Sequence, residues 1–120
     1  MSIIDEGDTG LRASRGNFGL VWVQGKGDTL ADYAKISRLS AQLWPQFAQE
    51  LLTKTGINIE LQQKGGLFLC LNDDELKQRK TMLTQMQKEA NGDYPFEVLD
   101  LQQLRDFIPE AGPEVVGATY

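Results

Sequence analysis

The chain has no histidine and one cysteine among 120 residues. Without histidine, a Ser-His-Asp triad, a Cys-His pair and any histidine-ligated zinc are excluded within the chain. With Cys70 alone, no internal disulfide can form, which fits a reducing compartment and a cytoplasmic location. Cys70 also lies in the apolar run Leu67-Phe68-Leu69-Cys70-Leu71, where a buried, inert thiol is the expectation rather than a nucleophile. Positive charge is scarce: 12 Lys and Arg face 17 Asp and Glu, a formal net charge of -5. No basic patch is available to displace counterions from phosphates, so nucleic acid is not an expected partner. No apolar run reaches the ~18 residues needed to cross a bilayer. Met1 is followed by acidic and glycine-rich sequence rather than by a secretory leader.

What is present is enough for a core. Hydrophobic residues make up 41% of the chain and charged residues 24%, a globular balance for one domain or pieces of two. Residues 1 to 27 carry six glycines, which implies tight turns or close backbone approach to something bound. Ile3-Ile4-Asp5-Glu6-Gly7-Asp8 reads as the end of a buried strand closing on acidic residues. Gly19 to Gln24 is a strand candidate.

The texture then changes. Asp28 or Thr29 can cap a long helix, with Tyr33, Ser37, Ser40, Trp44, Phe47 and Leu51 on one face and Gly56 as its stop. Pro45 sits inside that pattern and predicts a kink near Ala41 to Pro45, or two helices in series. Ile57 to Gln62 alternates as a half-buried strand should. Lys64-Gly65-Gly66 then turns the chain into a buried strand, Leu67 to Leu71. Asn72 with Glu75 starts a helix whose buried stripe is Leu76, Arg79, Leu83, Met86 and Ala90. Asn91-Gly92-Asp93 ends it, and Phe96 to Leu99 is another strand. Asp100 caps a short helix with Gln103 at the box position, Pro109 closes it, and Val115 to Tyr120 begins a further strand. The order predicts an α+β fold with a mostly antiparallel or mixed sheet and flanking helices.

Several residues could carry chemistry. Asp5 and Glu6, at a strand end, could accept hydrogen bonds from ribose hydroxyls, or form a solvated acidic turn. In the loop Ala13 to Gly19, Ser14 and Asn17 can bond a cofactor, Arg15 can face a diphosphate, and Gly16 and Gly19 allow close approach. A polar loop of caps and turns is the alternative. Gly25-Lys26-Gly27-Asp28-Thr29-Leu30 imitates a dinucleotide fingerprint. Leu30 occupies the place of its third small residue and Asp28 would repel a diphosphate, so a plain strand-to-helix turn is expected. Trp22, Tyr33, Trp44 and Phe47 could be a binding stripe, but three of them fit one helix face, which favours core packing. Paired carboxylates such as Asp73-Asp74 suit a helix dipole, and no metal site is assigned.

Four stretches, in order, resemble the D-amino-acid-oxidase-like FAD-dependent oxidoreductases, notably the sarcosine-oxidase, opine-oxidase and hydrogen-cyanide-synthase-subunit branches. They are the acidic strand end with Arg12 to Gly19; Ser40-Ala41-Gln42-Leu43-Trp44-Pro45 with Glu50-Leu51; Thr55 to Glu60 with Gly65-Gly66-Leu67; and Leu104-Arg105 with Ile108-Pro109-Glu110 and Gly112-Pro113. The resemblance spans essentially the whole chain. It implies that residues 1–27 are a remnant of an FAD-binding dinucleotide fold. Residues 28–120 would be the first part of a substrate-binding domain. It implies FAD as cofactor of the parent enzyme, held at the adenosine ribose by Asp5 with Glu6 beside it. Ser14, Arg15, Asn17, Phe18 and Gly19 would line the ribityl and isoalloxazine region. The reaction implied is hydride transfer from an amine-bearing carbon of an amino acid or secondary amine to the flavin. A first strand with a Gly-x-Gly-x-x-Gly turn would precede Ile3 in such enzymes, so the chain reads as an internal fragment, inactive alone, with no catalytic residue assigned. The alternative class is a non-enzymatic module acting through protein–protein contact; self-association through an unfinished sheet is a further option. Residues 1–27, short of partners for their apolar side chains, are expected to be mobile or differently packed.

Overall fold

The computed structural model describes Gly16 and residues 19–120. Its centre is a layer pair: a three-stranded antiparallel sheet with helices against it. The strands are β1 (Phe68–Cys70), β2 (Val98–Asp100) and β3 (Gly117–Thr119), in the order β1-β3-β2. Phe68 faces Thr119 and Cys70 faces Gly117 on one side of β3; Val98 faces Thr119 and Asp100 faces Gly117 on the other. Of the two sheet types left open by the sequence, the antiparallel one is found. The ladder continues past β3, where Tyr120 and Glu97 exchange backbone bonds of 2.9 and 2.8 Å. β3 is the central strand and is buried along its whole length. Gly117 makes that burial possible, because a Cβ there would meet Leu99 O at 2.5 Å and Leu76 Cδ2 at 3.0 Å.

Helix α1 (Ala31–Thr55) runs unbroken through Pro45. Of the two outcomes expected at Ala41 to Pro45, a kink or two helices in series, the second does not occur: one 25-residue helix spans the segment. Pro45 cannot donate to the carbonyl of Ala41, one turn earlier. The side-chain amide of Gln63 donates to that carbonyl instead, at 2.8 Å. Neither Asp28 nor Thr29 caps the helix: Leu30 occupies the cap position without a side-chain bond. Gly56 ends it as expected, at φ 72°, with its N–H bonded to Leu52 O at 2.9 Å.

α2 (Asp73–Glu89) and α3 (Leu101–Phe107) start on the caps their sequences announce. Asn72 Oδ1 accepts from Glu75 N at 2.8 Å. Asp100 and Gln103 form a reciprocal capping box, with bonds of 2.8 and 3.0 Å. The carboxylate of Glu75 also accepts from Leu71 N at 2.8 Å, tying the end of β1 to the helix that follows. Asn91 and Gly92, both at positive φ, turn the chain after α2.

Two apolar clusters hold these parts together. Leu83 and Met86 of α2 pack with Tyr94, joined by Ala34, Met82, Ala90 and Phe96. Leu104 of α3 packs with Val115 and Ala118, joined by Leu67, Leu101, Ile108 and Ala111. The stripe expected along α2 is therefore present, with Leu83 and Met86 buried and Leu76, Arg79 and Ala90 half-buried. Cys70 is buried, as its apolar surroundings implied.

Three expectations fail, each for a local reason. Ile57 to Gln62 is not a strand. Asn58 Oδ1 captures Glu60 N at 2.9 Å and Glu60 adopts φ 54°, so an Asx-type turn interrupts the alternation and the hairpin with β1 does not form. Gly19 to Gln24 is not a strand either. Gly19 takes φ 76°, and the indole of Trp22 donates to Gln24 O at 2.7 Å, which curls the segment on itself. The aromatic face of α1 is not core: no residue of the helix is buried, and Tyr33 and Phe47 are about half exposed.

Candidate functional site

A groove of about 1240 Å³ opens between α1, the loop Ile59–Gly66 and the segment Gly19–Gln24. Its α1 wall is Arg38, Ala41, Trp44, Phe47 and Leu51, three or four residues apart along the helix. Trp44 and Phe47 meet edge to face, with ring centroids 5.6 Å apart. The opposite wall carries Leu20, Val21, Trp22 and Val23, and Tyr94, Pro95 and Tyr120 contribute to the floor. The lining is predominantly apolar and aromatic: among its described residues Arg38 and Glu60 are the only Asp, Glu, Lys or Arg side chains.

Each wall has its own fastening. Gln63, bonded to Ala41 O, ties the loop to α1. Arg38 pairs with Asp93 at 2.6 Å and lies 5.6 Å from the Tyr94 ring centre, which fixes α1 over the chain leaving α2. The hydroxyl of Tyr120 donates to Lys64 O at 2.6 Å. Gly65 and Gly66 leave room for close approach: a Cβ at Gly65 would run into the Tyr120 ring, and one at Gly66 into Trp22.

The Trp22 wall is held most firmly. Tyr94 OH accepts from Gly25 N at 2.9 Å and donates to Val23 O at 3.2 Å. Gln24 Oε1 accepts from Arg79 Nη2 at 3.1 Å and from Thr119 Oγ1 at 2.9 Å. The Arg79 guanidinium stacks over Phe68, 4.0 Å from the ring centre. Its burial pushes the guanidinium pKa down from the usual value, partly offset by neighbouring groups that favour the cation, Cys70 first. In the described part of residues 1–27, Trp22 to Gly25 is half-buried and bonded to α2, β3 and Tyr94, while the apolar side chains of Leu20 and Val21 stay exposed.

Gly25-Lys26-Gly27 is a turn, as expected of a fingerprint imitation. Lys26 N bonds Val23 O at 2.9 Å and Leu30 N bonds Gly27 O at 3.0 Å. Both glycines have positive φ, and a Cβ at Gly27 would meet Ala34 N at 2.6 Å. The close approach made here is to α1, and needs no phosphate.

Of the residues singled out for cofactor contact, Asp5, Glu6, Ser14, Arg15, Asn17 and Phe18 lie outside the described residues. Gly19 is described and lines the groove. At Gly16 and at Gly19, no atom of the described residues lies within 4 Å of where a Cβ would sit. Arg79, Tyr94 and Thr119 carry no site signal in the sequence, because their links to Gln24 and its neighbours cross at least 55 positions. No group of acidic or thiol side chains suited to a metal ion occurs among the described residues. Among them no helix is long and apolar enough to cross a membrane.

The family model described as DAO, FAD dependent oxidoreductase, matches residues 1–120. An opine oxidase subunit of Agrobacterium tumefaciens (strain Ach5) is 46% identical over 119 residues, covering 98% of this chain and 32% of the relative. The opine oxidase subunit of the same designation from Rhizobium meliloti is 42% identical over 119 residues, again 98% of this chain and 32% of the relative. The crystal structure of glycine oxidase from Geobacillus kaustophilus superposes with a TM-score of 0.78 at 26% identity, over 90% of this chain and 28% of that one. The chain therefore spans about a third of the length of the curated relatives it matches.

Proposed function

The chain belongs to the DAO family of FAD-dependent oxidoreductases, and from that premise we propose that it supplies one side of the site where such an enzyme oxidises the C–N bond of an amino acid or secondary amine. Residues 1–27 are assigned to the FAD-binding part and residues 28–120 to the first part of the substrate-binding part. The observation that carries the reading is the groove. It begins at Gly19, the last residue of the loop whose sequence resembles a flavin-contacting loop, and continues over Leu20 to Val23 against Trp44 and Phe47.

The described residues fit the flat, largely apolar end of a flavin. Gly19 brings no Cβ to the groove, and the adjoining walls offer aromatic and aliphatic faces. The polar contacts fall to Asp5, Glu6, Ser14, Arg15, Asn17 and Phe18. FAD, when bound, supplies the acceptor for the hydride that leaves the amine-bearing carbon. The chain's own residues bind and orient: Trp22, Trp44 and Phe47 exclude water, and the loop Ile59–Gly66 closes one end. Relatives named opine oxidase and glycine oxidase support an amine or amino-acid substrate.

A second reading, a module that docks on other polypeptide, is favoured by one observation. Ile36, Leu39, Leu43 and Phe47 form an exposed apolar stripe on α1. Relatives named as subunits support assembly with further polypeptide.

The test is an exchange. The matching third of a curated relative is replaced by this chain, and the product is examined by visible absorption before and after dialysis, then offered small secondary amines. Retained flavin that bleaches with an amine is the expected result. A folded product that never holds FAD, while the parental relative does, would remove the reading. Titrating the chain alone with FAD asks whether this portion suffices without the rest.

A further inference from the structure

The grip on Gln24 has more partners than a surface turn needs. One side-chain oxygen, Gln24 Oε1, takes hydrogen bonds from two directions: from Arg79 of α2 and from Thr119 of the central strand. On either side of it, Tyr94 OH holds the carbonyl of Val23 and the N–H of Gly25. The carbonyl of Gln24 itself holds the indole of Trp22 at 2.7 Å. Gly25 sits at φ 81°, where an L side chain is strained, and a Cβ there would press on Arg79 Nη1 at 2.8 Å, so the guanidinium would have to shift.

Arg79 is an unusual choice for a purely structural partner. Its guanidinium is half-buried, yet among the described residues it is matched with a neutral amide rather than with a carboxylate. Its Nε is buried and has no partner among the described residues. A stabilising ion pair would not leave that donor unused. The guanidinium sits over the Phe68 ring and directs one nitrogen to Gln24 and another toward Met82 Sδ at 4.0 Å.

From these contacts we infer that Gln24 is a positioning residue: held by Arg79 and Thr119, with Tyr94 bonded to its two chain neighbours, it fixes Trp22 against Gly66 as a preformed wall of the groove. The groove is then shaped before its ligand arrives, and the ligand does not bear the ordering of this segment. The chemical class that suits such a wall is a flat, partly apolar ring. This last step rests on the flavin reading above; the positioning of Trp22 does not.

The experiment uses the intact chain labelled with fluorotryptophan, whose two tryptophans give separate fluorine NMR signals assigned by Trp22→Phe. Gln24→Leu removes the acceptor at similar volume. Gln24→Glu keeps it, and Tyr94→Phe removes the hydroxyl alone. Without ligand, Gln24→Leu and Tyr94→Phe should move or broaden the Trp22 signal and leave the Trp44 signal in place. Gln24→Glu should leave both as in the parent chain. FAD is then the probe. It should shift the Trp22 signal of the parent chain, with apparent affinity about tenfold weaker in Gln24→Leu if the formed wall is populated about a tenth of the time.

A purely structural role would lower the unfolding midpoint of Gln24→Leu without touching the Trp22 signal of the folded chain, and that result overturns the inference. Unchanged FAD affinity despite a displaced Trp22 overturns the ligand half of it. Where the parent chain's Trp22 signal ignores FAD, this portion does not hold FAD without the rest, the FAD comparison is made in the exchanged protein described above, and the ligand-free comparison still decides the positioning role.

Discussion

Gln63 supplies the hydrogen bond that Pro45 denies to Ala41. Its side-chain Nε2 donates to the Ala41 carbonyl at 2.8 Å, across 22 positions of sequence. That one contact lets α1 pass through a proline without breaking and anchors the loop Ile59–Gly66 to the helix. Both residues line the groove.

Gln63→Leu should therefore destabilise the chain by about 1 kcal/mol, the net value of a typical intramolecular bond. The same change made in Pro45→Ala should cost much less, since residue 45 then donates to Ala41 itself. A double-mutant cycle read by urea unfolding should show coupling of about 0.5 kcal/mol or more. Additive effects would mean that Gln63 holds the loop by some other contact.

The capping box of α3 gives a second test. Asp100→Ala removes the acceptor for Gln103 N and should lower stability by about 1 kcal/mol. Asp100→Asn should retain most of it, because an amide oxygen also caps. The effect reaches the core through Leu104, which is fully buried one turn into the helix. Equal losses from both variants, measured by the same unfolding assay, would show that charge rather than capping geometry matters at this site.

These two cases mark where the sequence is legible. Asn72 with Glu75, Asp100 with Gln103 and Gly56 announce helix ends through bonds made within a few residues, and all three hold. The buried stripe of α2 is equally plain, since its period is local. What sequence order does not show is long-range. Nothing near Pro45 indicates that Gln63 will satisfy Ala41, and nothing near Gln24 points to Arg79 or Thr119. Alternation at Ile57 to Gln62 suggests a strand, but a strand also needs a neighbour to pair with. Here Asn58 closes a local turn first, and Ile57 stays 63% exposed. The apolar spacing of α1 does mark a helix, but burial does not follow from period alone. For the site, Gly19 lines the groove, while Asp5, Glu6, Ser14, Arg15, Asn17 and Phe18 fall outside the described residues.

Cys70 provides a pH test with a definite sign. Burial raises its thiol pKa first, the nearby Glu75 carboxylate raises it further, and Arg79 opposes both. The folded chain then keeps its thiol proton at pH values where the unfolded chain has lost it. Because the folded state binds more protons there, stability falls as pH rises above the ordinary thiol pKa, and is unaffected by this group below it. Unfolding free energy should decline through that alkaline window in the parent chain and decline less in Cys70→Ala. At neutral pH, thiol labelling should follow the rate of opening rather than of chemistry. Rapid labelling of the folded chain would contradict the burial of Cys70.

The exposed stripe of α1 leads to the last prediction. Ile36 and Leu43 are 61% and 62% exposed, so they add little to the fold of this chain. Ile36→Lys with Leu43→Lys should change its stability by no more than about 0.5 kcal/mol. The two substitutions break a continuous apolar surface, and so should lower any concentration-dependent light scattering. In the segment exchange described above, the outcome differs if further polypeptide covers the stripe. Two lysines would then be buried without partners, and the exchanged protein should lose several kcal/mol or fail to assemble. A neutral result in both settings would show that α1 faces solvent in the larger enzyme as well, and would remove the stripe as a docking surface.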